Sequence, residues 1–267
     1  MAVRSDGADL WVAALDGTVT RVSGSDGRVL DTWTGADGAT SVLVAMGRVF
    51  VAGGVLPNAG KLYVLDPTQA GGPLTSVADL GLEPASLAFD GSHIWVANID
   101  SISIIEPGTW NVTTVGGFQN SGGLVFDGSS MWAAQAHELS RLDGQGTVIQ
   151  SVALEGPSFP VFDGENIWVP ARISGLVGEV FVVRASTGEI VKELQFPDSQ
   201  DSTPSEAVFD GRRILVTDGT AFRVALWNAA DLSSLGQVST ASPAFGACSD
   251  GHSFWLALRD ANKLVRF

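Results

Sequence analysis

The sequence predicts an all-β chain folded as a seven-bladed β-propeller, with four-stranded antiparallel blades and a seventh blade of three strands. Three observations carry that expectation. A phrase of the form apolar-Phe-Asp-Gly-x-x-Ile-Trp-Val-Ala recurs, with degenerate copies, through all 267 residues. The glycines that mark it, Gly7, Gly47, Gly91, Gly128, Gly164, Gly211 and Gly251, lie 36 to 47 residues apart, the period of a propeller blade. No segment of about ten residues or more shows a 3.6-residue apolar stripe with helix caps, so the period is not that of a helical array.

Each unit opens with a short apolar strand, which ends at Asp-Gly in six of the seven and at Met46-Gly47 in the second. Glycine accepts positive φ and aspartate can bond the backbone two residues on, so the dipeptide marks a tight reversal. Four residues beyond the glycine stands Trp11, Trp95, Trp132, Trp168, Leu215 or Trp255; in the shortened second copy Phe50 comes three after. Its neighbours, such as Ile94 and Val96 or Ile167 and Val169, are apolar too. Strand side chains alternate between faces, so this second strand must be covered on both, as a blade stacked between two others is. Third strands follow at 18–22, 61–65, 101–105, 138–142, 179–183, 222–226 and 263–267. A polar turn such as Asp66-Pro67-Thr68 then leads, in the first six units, to fourth strands at 28–34, 73–80, 112–118, 148–154, 190–196 and 236–240.

The whole chain reads as one domain, with blades at about 1–38, 39–83, 84–120, 121–156, 157–203, 204–242 and 243–267. Fifteen Lys and Arg against 29 Asp and Glu give a net charge of −14, which repels phosphate backbones and anionic lipid, so nucleic acid and membranes are not expected partners. A single cysteine, Cys248, excludes an internal disulfide and a multi-cysteine zinc site. No stretch approaches a membrane span, and residues 1–9 carry no basic segment followed by an apolar one. The expected location is cytoplasmic or virion-associated if Met1 is the native start, and extracellular if a leader has been removed.

The phrases Ile94-Trp95-Val96-Ala97-Asn98 and Ser101-Ile102-Ser103-Ile104-Ile105-Glu106-Pro107-Gly108 resemble the YVTN-type, YncE-like propeller repeat, a relative of the streptogramin lyase-like and NHL propellers. The resemblance covers essentially the whole chain and implies a fold rather than a chemistry. Streptogramin lyases are metal-assisted enzymes with a central His and Glu site. The three histidines here, His93, His137 and His252, match no such motif, so the resemblance transfers no catalytic residue.

From the residues themselves no catalytic group, metal site or cofactor is expected. The aspartates Asp6, Asp90, Asp127, Asp163, Asp210 and Asp250 read as turn caps in separate blades, since calcium needs six to eight converging oxygens. The repeated tryptophans read as packing between blades, whereas Trp33, Trp110 and Trp227 fall outside the repeat position and are freer to be exposed. A ligand-binding position is expected where loops gather around the central channel, at Asn98, Gln135, His137, Arg172 and Arg259, a mixture suited to a protein or a polar small ligand. The stretches 53–60, 172–178 and 197–205 exceed the repeat length and are candidate recognition loops.

Counting strands adds a second candidate. Ala2–Ser5 precede Asp6-Gly7 as Ser86–Phe89 precede Asp90-Gly91, which leaves no spare strand for the seventh unit and gives 27 strands in all. Lys263, Val265 and Phe267 would then lie on an open edge that invites strand addition from another chain. The leading functional expectation is a non-enzymatic recognition or scaffold propeller in an assembly such as a virion, tail or cell-surface complex. The alternatives are a streptogramin lyase-like enzyme and a carbohydrate-binding propeller.

Overall fold

A computed structural model describes residues 1–173, 177–196, 202–258 and 260–267. Among the described residues the chain forms 27 strands and no helix. Blade 1 comprises β1 (Ala2–Ser5), β2 (Asp9–Ala13), β3 (Val19–Ser23) and β4 (Val29–Trp33). Blade 2 follows with β5 (Ala39–Ala45), β6 (Arg48–Gly53), β7 (Lys61–Leu65) and β8 (Ser76–Asp79), and blade 3 with β9 (Ser86–Phe89), β10 (Ile94–Ala97), β11 (Ser101–Ile105) and β12 (Val112–Gly116). Blade 4 holds β13 (Leu124–Phe126), β14 (Met131–Ala134), β15 (Glu138–Leu142) and β16 (Val148–Ala153). Blade 5 holds β17 (Val161–Phe162), β18 (Asn166–Ile173), β19 (Val177–Arg184) and β20 (Ile190–Gln195). Blade 6 is β21 (Pro204–Phe209), β22 (Arg213–Asp218), β23 (Arg223–Asn228) and β24 (Ser234–Ser239), and blade 7 is β25 (Ala244–Ser249), β26 (Phe254–Leu258) and β27 (Lys263–Arg266). Each blade is an antiparallel sheet in chain order, four-stranded in the first six and three-stranded in the seventh.

The Asp-Gly turns do more than reverse the chain. One carboxylate oxygen of each aspartate accepts the backbone N–H groups two and three residues on, at 2.6 to 2.9 Å. The other accepts the indole N–H of the tryptophan five residues on: Asp6 from Trp11 at 2.9 Å, Asp90 from Trp95, Asp127 from Trp132 and Asp250 from Trp255 at 2.7 Å, and Asp163 from Trp168 at 2.6 Å. In blade 6, where Leu215 replaces the tryptophan, Arg213 Nε takes the indole's place on Asp210 at 2.7 Å. A buried indole thus finds its polar partner inside its own hairpin.

Packing runs between blades. Seven apolar clusters occupy the seven interfaces, the last joining Val3, Leu10 and Val22 of blade 1 to Cys248, Trp255 and Ala257 of blade 7. Trp11, Trp95, Trp132 and Trp168 are fully buried, so the repeated tryptophans are core residues.

Two expectations need correction. Trp33 and Trp227 are buried, and Trp110 is half-buried. Trp33 closes on Trp11 at a ring separation of 5.3 Å and Trp227 on Phe196 at 5.8 Å, because outer side chains turned toward a neighbouring blade complete its interface. At the candidate loop 172–178 the described residues 172–173 and 177–178 are strand, since β18 and β19 lengthen and pair through Arg172↔Gly178 and Ile173↔Val177, while 174–176 lie outside the described residues. The inner strand of blade 5 is reduced to two residues because the chain before it bonds blade 6: Phe159 N–H donates to the Ser205 carbonyl and Ala207 N–H to the Phe159 carbonyl, each at 3.0 Å. The third candidate loop lies outside the described residues at 197–201.

Candidate functional site

The first strand of each blade is innermost, so seven of them surround a channel. Around one stretch of it, of about 410 Å³, Arg4 and Ser5 face Ser86, Val125, Glu206 and Cys248. Arg4 Nη1 lies 2.8 Å from Glu206 Oε1 and donates to the carbonyls of Val3 at 2.8 Å and Ala247 at 3.1 Å. Glu206 Oε2 accepts the Ala247 N–H at 2.8 Å. One buried carboxylate therefore links blades 6, 7 and 1. Burial is the largest single influence and would lower the Arg4 pKa, but the Glu206 charge, the neighbouring Cys248 and the hydrogen bond to Glu206 together outweigh it and hold the guanidinium above its usual value. Burial pushes the Cys248 thiol up to about 12, so it stays protonated and is not a nucleophile at neutral pH.

At the face where second strands turn into third strands, a cleft of about 630 Å³ lies between loops of blades 1, 2 and 3 and Phe159 of the segment entering blade 5. Leu15, Val55, Leu56, Pro84 and Phe159 supply its apolar walls. Leu15, Val55 and Leu56 are each more than half exposed, at 55%, 56% and 56%. The loops meet because Gly38, at φ 67°, lets the Gly54 carbonyl press where a Cβ would stand. Asp16, Asp37 and Glu83 are exposed on these loops, and residues 14–18, 34–40, 54–60 and 80–85 contain no Lys or Arg. The Thr18 hydroxyl and amide hold the Asp16 carboxyl below the usual range, so it is ionised at neutral pH.

The residues expected from sequence to bind ligand fall into two groups. Asn98 is fully buried and its Nδ2 donates to Ser103 Oγ at 3.0 Å and the Ser101 carbonyl at 3.3 Å, while its Oδ1 has no partner. Gln135 is buried, accepting Gln119 N–H at 3.1 Å and donating to Ser140 Oγ at 2.7 Å and Glu138 Oε1 at 3.0 Å. Both amides brace the loops behind the face. His137 and Arg172 are exposed and lie one connection apart, since Gly156 donates to the Ala136 carbonyl and accepts the Arg172 N–H. Arg259 lies outside the described residues.

The stretch 53–60, a candidate recognition loop, supplies Val55 and Leu56 to the cleft, but Leu15, Pro84 and Phe159 are not repeat positions and sequence did not join them to it. The available signal was the run Val55-Leu56-Pro57 inside an overlong loop beside the isolated Leu15. The three histidines sit on three blades, and among the described residues no three His, Cys, Asp or Glu side chains gather as metal ligands.

No family model and no curated protein sequence matches this chain. Solved structures match its shape over nearly all its length. Hydrazine synthase of Kuenenia stuttgartiensis aligns with a TM-score of 0.81 at 14% identity, covering 100% of this chain and 94% of that one. The β-propeller domain of Myceliophteria thermophila Cps50 (Swd1) aligns at 0.80 with 11% identity, covering 100% and 96%. The WD40 β-propeller domain of Doa1 aligns at 0.75 with 14% identity, covering 99% and 90%. At such identities the likeness shows the fold alone, a seven-bladed propeller.

Proposed function

We propose that this propeller is a non-enzymatic recognition module that seats a protein segment bearing an apolar anchor flanked by Lys or Arg in the loop-face cleft. The observation that carries the reading is the cleft itself. Leu15, Val55 and Leu56 stand exposed together on the cleft, Glu83 lines it, and exposed Asp16 and Asp37 lie on the same loops, which carry no Lys or Arg. An apolar centre within a charged rim is the arrangement of a protein-recognition site. On blades 4 and 5, exposed His137 and Arg172 are assigned the polar contacts of the same face. In this reading the protein is a component of a larger assembly, such as a virion, a tail structure or a cell-surface complex.

The test uses a fluorescein-labelled Lys-Lys-Leu-Phe-Leu-Lys-Lys peptide and its Glu-flanked counterpart, titrated by anisotropy. The Lys-flanked peptide is expected to bind, and more weakly as salt rises. Changing Leu15 and Leu56 together to Ser should weaken it by about tenfold or more with the circular dichroism unchanged. Equal binding of the Glu-flanked peptide, or unchanged affinity in the double variant, would overturn the reading.

A further inference from the structure

On the face opposite the loop cleft, where first strands turn into second and third into fourth, a cavity of about 580 Å³ lies between blades 5 and 6. Val191, Phe209 and Leu232 form its floor, each half-buried against the apolar cluster of that interface. Its walls are polar, with Asn166 and Arg184 from blade 5 and Arg212 and Asn228 from blade 6.

The bonds already made in these walls leave donors unmatched. Asp163 Oδ1 accepts the Glu165 and Asn166 amides at 2.8 and 2.7 Å and its Oδ2 accepts the Trp168 indole at 2.6 Å, so that carboxylate is fully engaged by its own turn. Glu165 is ion-paired with Arg184. Arg212 is exposed, and among the described residues its guanidinium has no hydrogen bond or ion pair. Asn228 accepts the Ala230 N–H at its Oδ1 at 3.1 Å, while its Nδ2 donates to no described residue. Asn166 is 8% exposed, yet its buried Oδ1 has no partner, so no bond fixes which way its amide points.

Comparison among blades shows what Arg212 lacks. In blade 5 Glu165 follows the hairpin glycine and Arg184 ends the third strand, and the two pair. Arg212 and Asn228 hold the same two places in blade 6: Ala185 N–H donates to the Glu165 carbonyl at 3.2 Å, and Ala229 N–H to the Arg212 carbonyl at 3.0 Å. The place of Asn228 is taken by Asp66, Glu106 and Asp143 in blades 2, 3 and 4. Where an acid would neutralise Arg212, blade 6 therefore has a neutral amide. The matching cavity between blades 3 and 4, of about 310 Å³, has Ser129 and Asp143 in these places and no Lys or Arg in its lining.

We propose that the cavity between blades 5 and 6 binds a small organic monocarboxylate with an apolar body. Arg212 and the amides of Asn228 and Asn166 meet the carboxylate, and the apolar body lies on Phe209, Val191 and Leu232. A guanidinium offers paired N–H groups that match the two oxygens of a carboxylate. One unmatched cation suits one negative charge, whereas the second charge of a phosphate ester would find no counter-ion. An apolar floor with a few convergent polar groups, in a cavity of this size, is the composition of a small-molecule site.

The probes are indole-3-acetate, its neutral counterpart indole-3-acetamide, and acetate, titrated into the isotope-labelled full chain and followed by NMR. Indole-3-acetate should shift the side-chain N–H signals of Arg212, Asn166 and Asn228 and saturate within about 10 mM. The neutral amide, lacking the charge, and acetate, lacking the apolar body, should each bind about tenfold more weakly or worse. Arg212→Gln should weaken the indole acid by about tenfold and leave the indole amide unchanged. Asn228→Asp gives Arg212 the acid that blades 2, 3 and 4 carry and should weaken the indole acid to a similar extent. Both positions are on the surface, and the backbone spectrum of each variant checks its fold. The proposal is overturned if no side-chain signal at the cavity saturates, if acid and amide bind alike, if acetate binds as well as the indole acid, or if both variants keep full affinity.

Discussion

The bond between each turn aspartate and its tryptophan makes a quantitative prediction at blade 4. Asp127 Oδ1 accepts the Ser129 and Ser130 amides, each at 2.7 Å, and the Ser129 hydroxyl at 2.8 Å, while Oδ2 accepts the Trp132 indole at 2.7 Å. Every acceptor position faces a donor. In Asp127→Asn either orientation of the new amide therefore sets an NH2 group against an N–H. Hydrogen bonds to a charged group are worth about 1.5–3 kcal/mol, so the substitution should cost about 2–3 kcal/mol. Trp132→Phe removes the indole donor at a cost of about 1–2 kcal/mol, mostly from lost contact in the blade interface. In the double variant the new NH2 no longer meets the indole, and the cost of asparagine should fall to about 1 kcal/mol, a coupling of about 1–2 kcal/mol. Urea unfolding at neutral pH, followed by the fluorescence of the other tryptophans, measures all four corners of the cycle. If Asp127→Asn costs the same in the unaltered chain and in the Trp132→Phe variant to within about 0.5 kcal/mol, the indole bond contributes nothing and the reasoning fails.

Two further predictions follow from the same core. Burial acts to raise the pKa of Asp6, Asp90, Asp127, Asp210 and Asp250, but the hydrogen bonds they accept outweigh it and hold them below 3.8. Their stabilisation is complete above the unfolded pKa and lost as pH falls through the folded values, so the urea midpoint should drop between about pH 4 and about pH 2; a midpoint flat across that window would contradict the assignment. Trp95→Ala or Trp168→Ala should each cost about 3–5 kcal/mol in the same unfolding assay, and a loss under about 1 kcal/mol at both would show that neither side chain is core.

The blades were legible because each carries its own marker. Asp-Gly and the tryptophan four residues on gave the turn, the second strand and its two-sided burial, and the three-stranded seventh blade followed from counting. The indole bond was visible only as a spacing of five, since its formation depends on how the hairpin curls the carboxylate back over the strand. Asn98 and Gln135 stood at strand ends that sequence reads as open loop, but their amides turn inward to bond Ser101, Ser103, Glu138 and Ser140. The meeting of Arg4 with Glu206 and Ala247 could not be read at all, because it joins residues from opposite ends of the sequence that only ring closure brings together. The apolar cleft escaped for a related reason: Leu15, Leu56 and Phe159 come from three separate blades.

That closing contact also sets the entropic scale of folding. Within a blade the ladder joins near neighbours, as when Arg21 reaches Asp9 across 12 residues, whereas Arg4 reaches the Ala247 carbonyl across 243. Chain entropy grows with the logarithm of loop length, so bringing the first and seventh blades together costs about 3 kcal/mol more than closing one hairpin. Among the described residues the two blades are separate sheets. Val3, Leu10 and Val22 pack against Trp255 and Ala257 across this seam, and the Glu206 carboxylate bridges it, so these contacts offset part of that cost. Closing a hairpin is therefore the small entropic step and shutting the ring between blades 7 and 1 the large one.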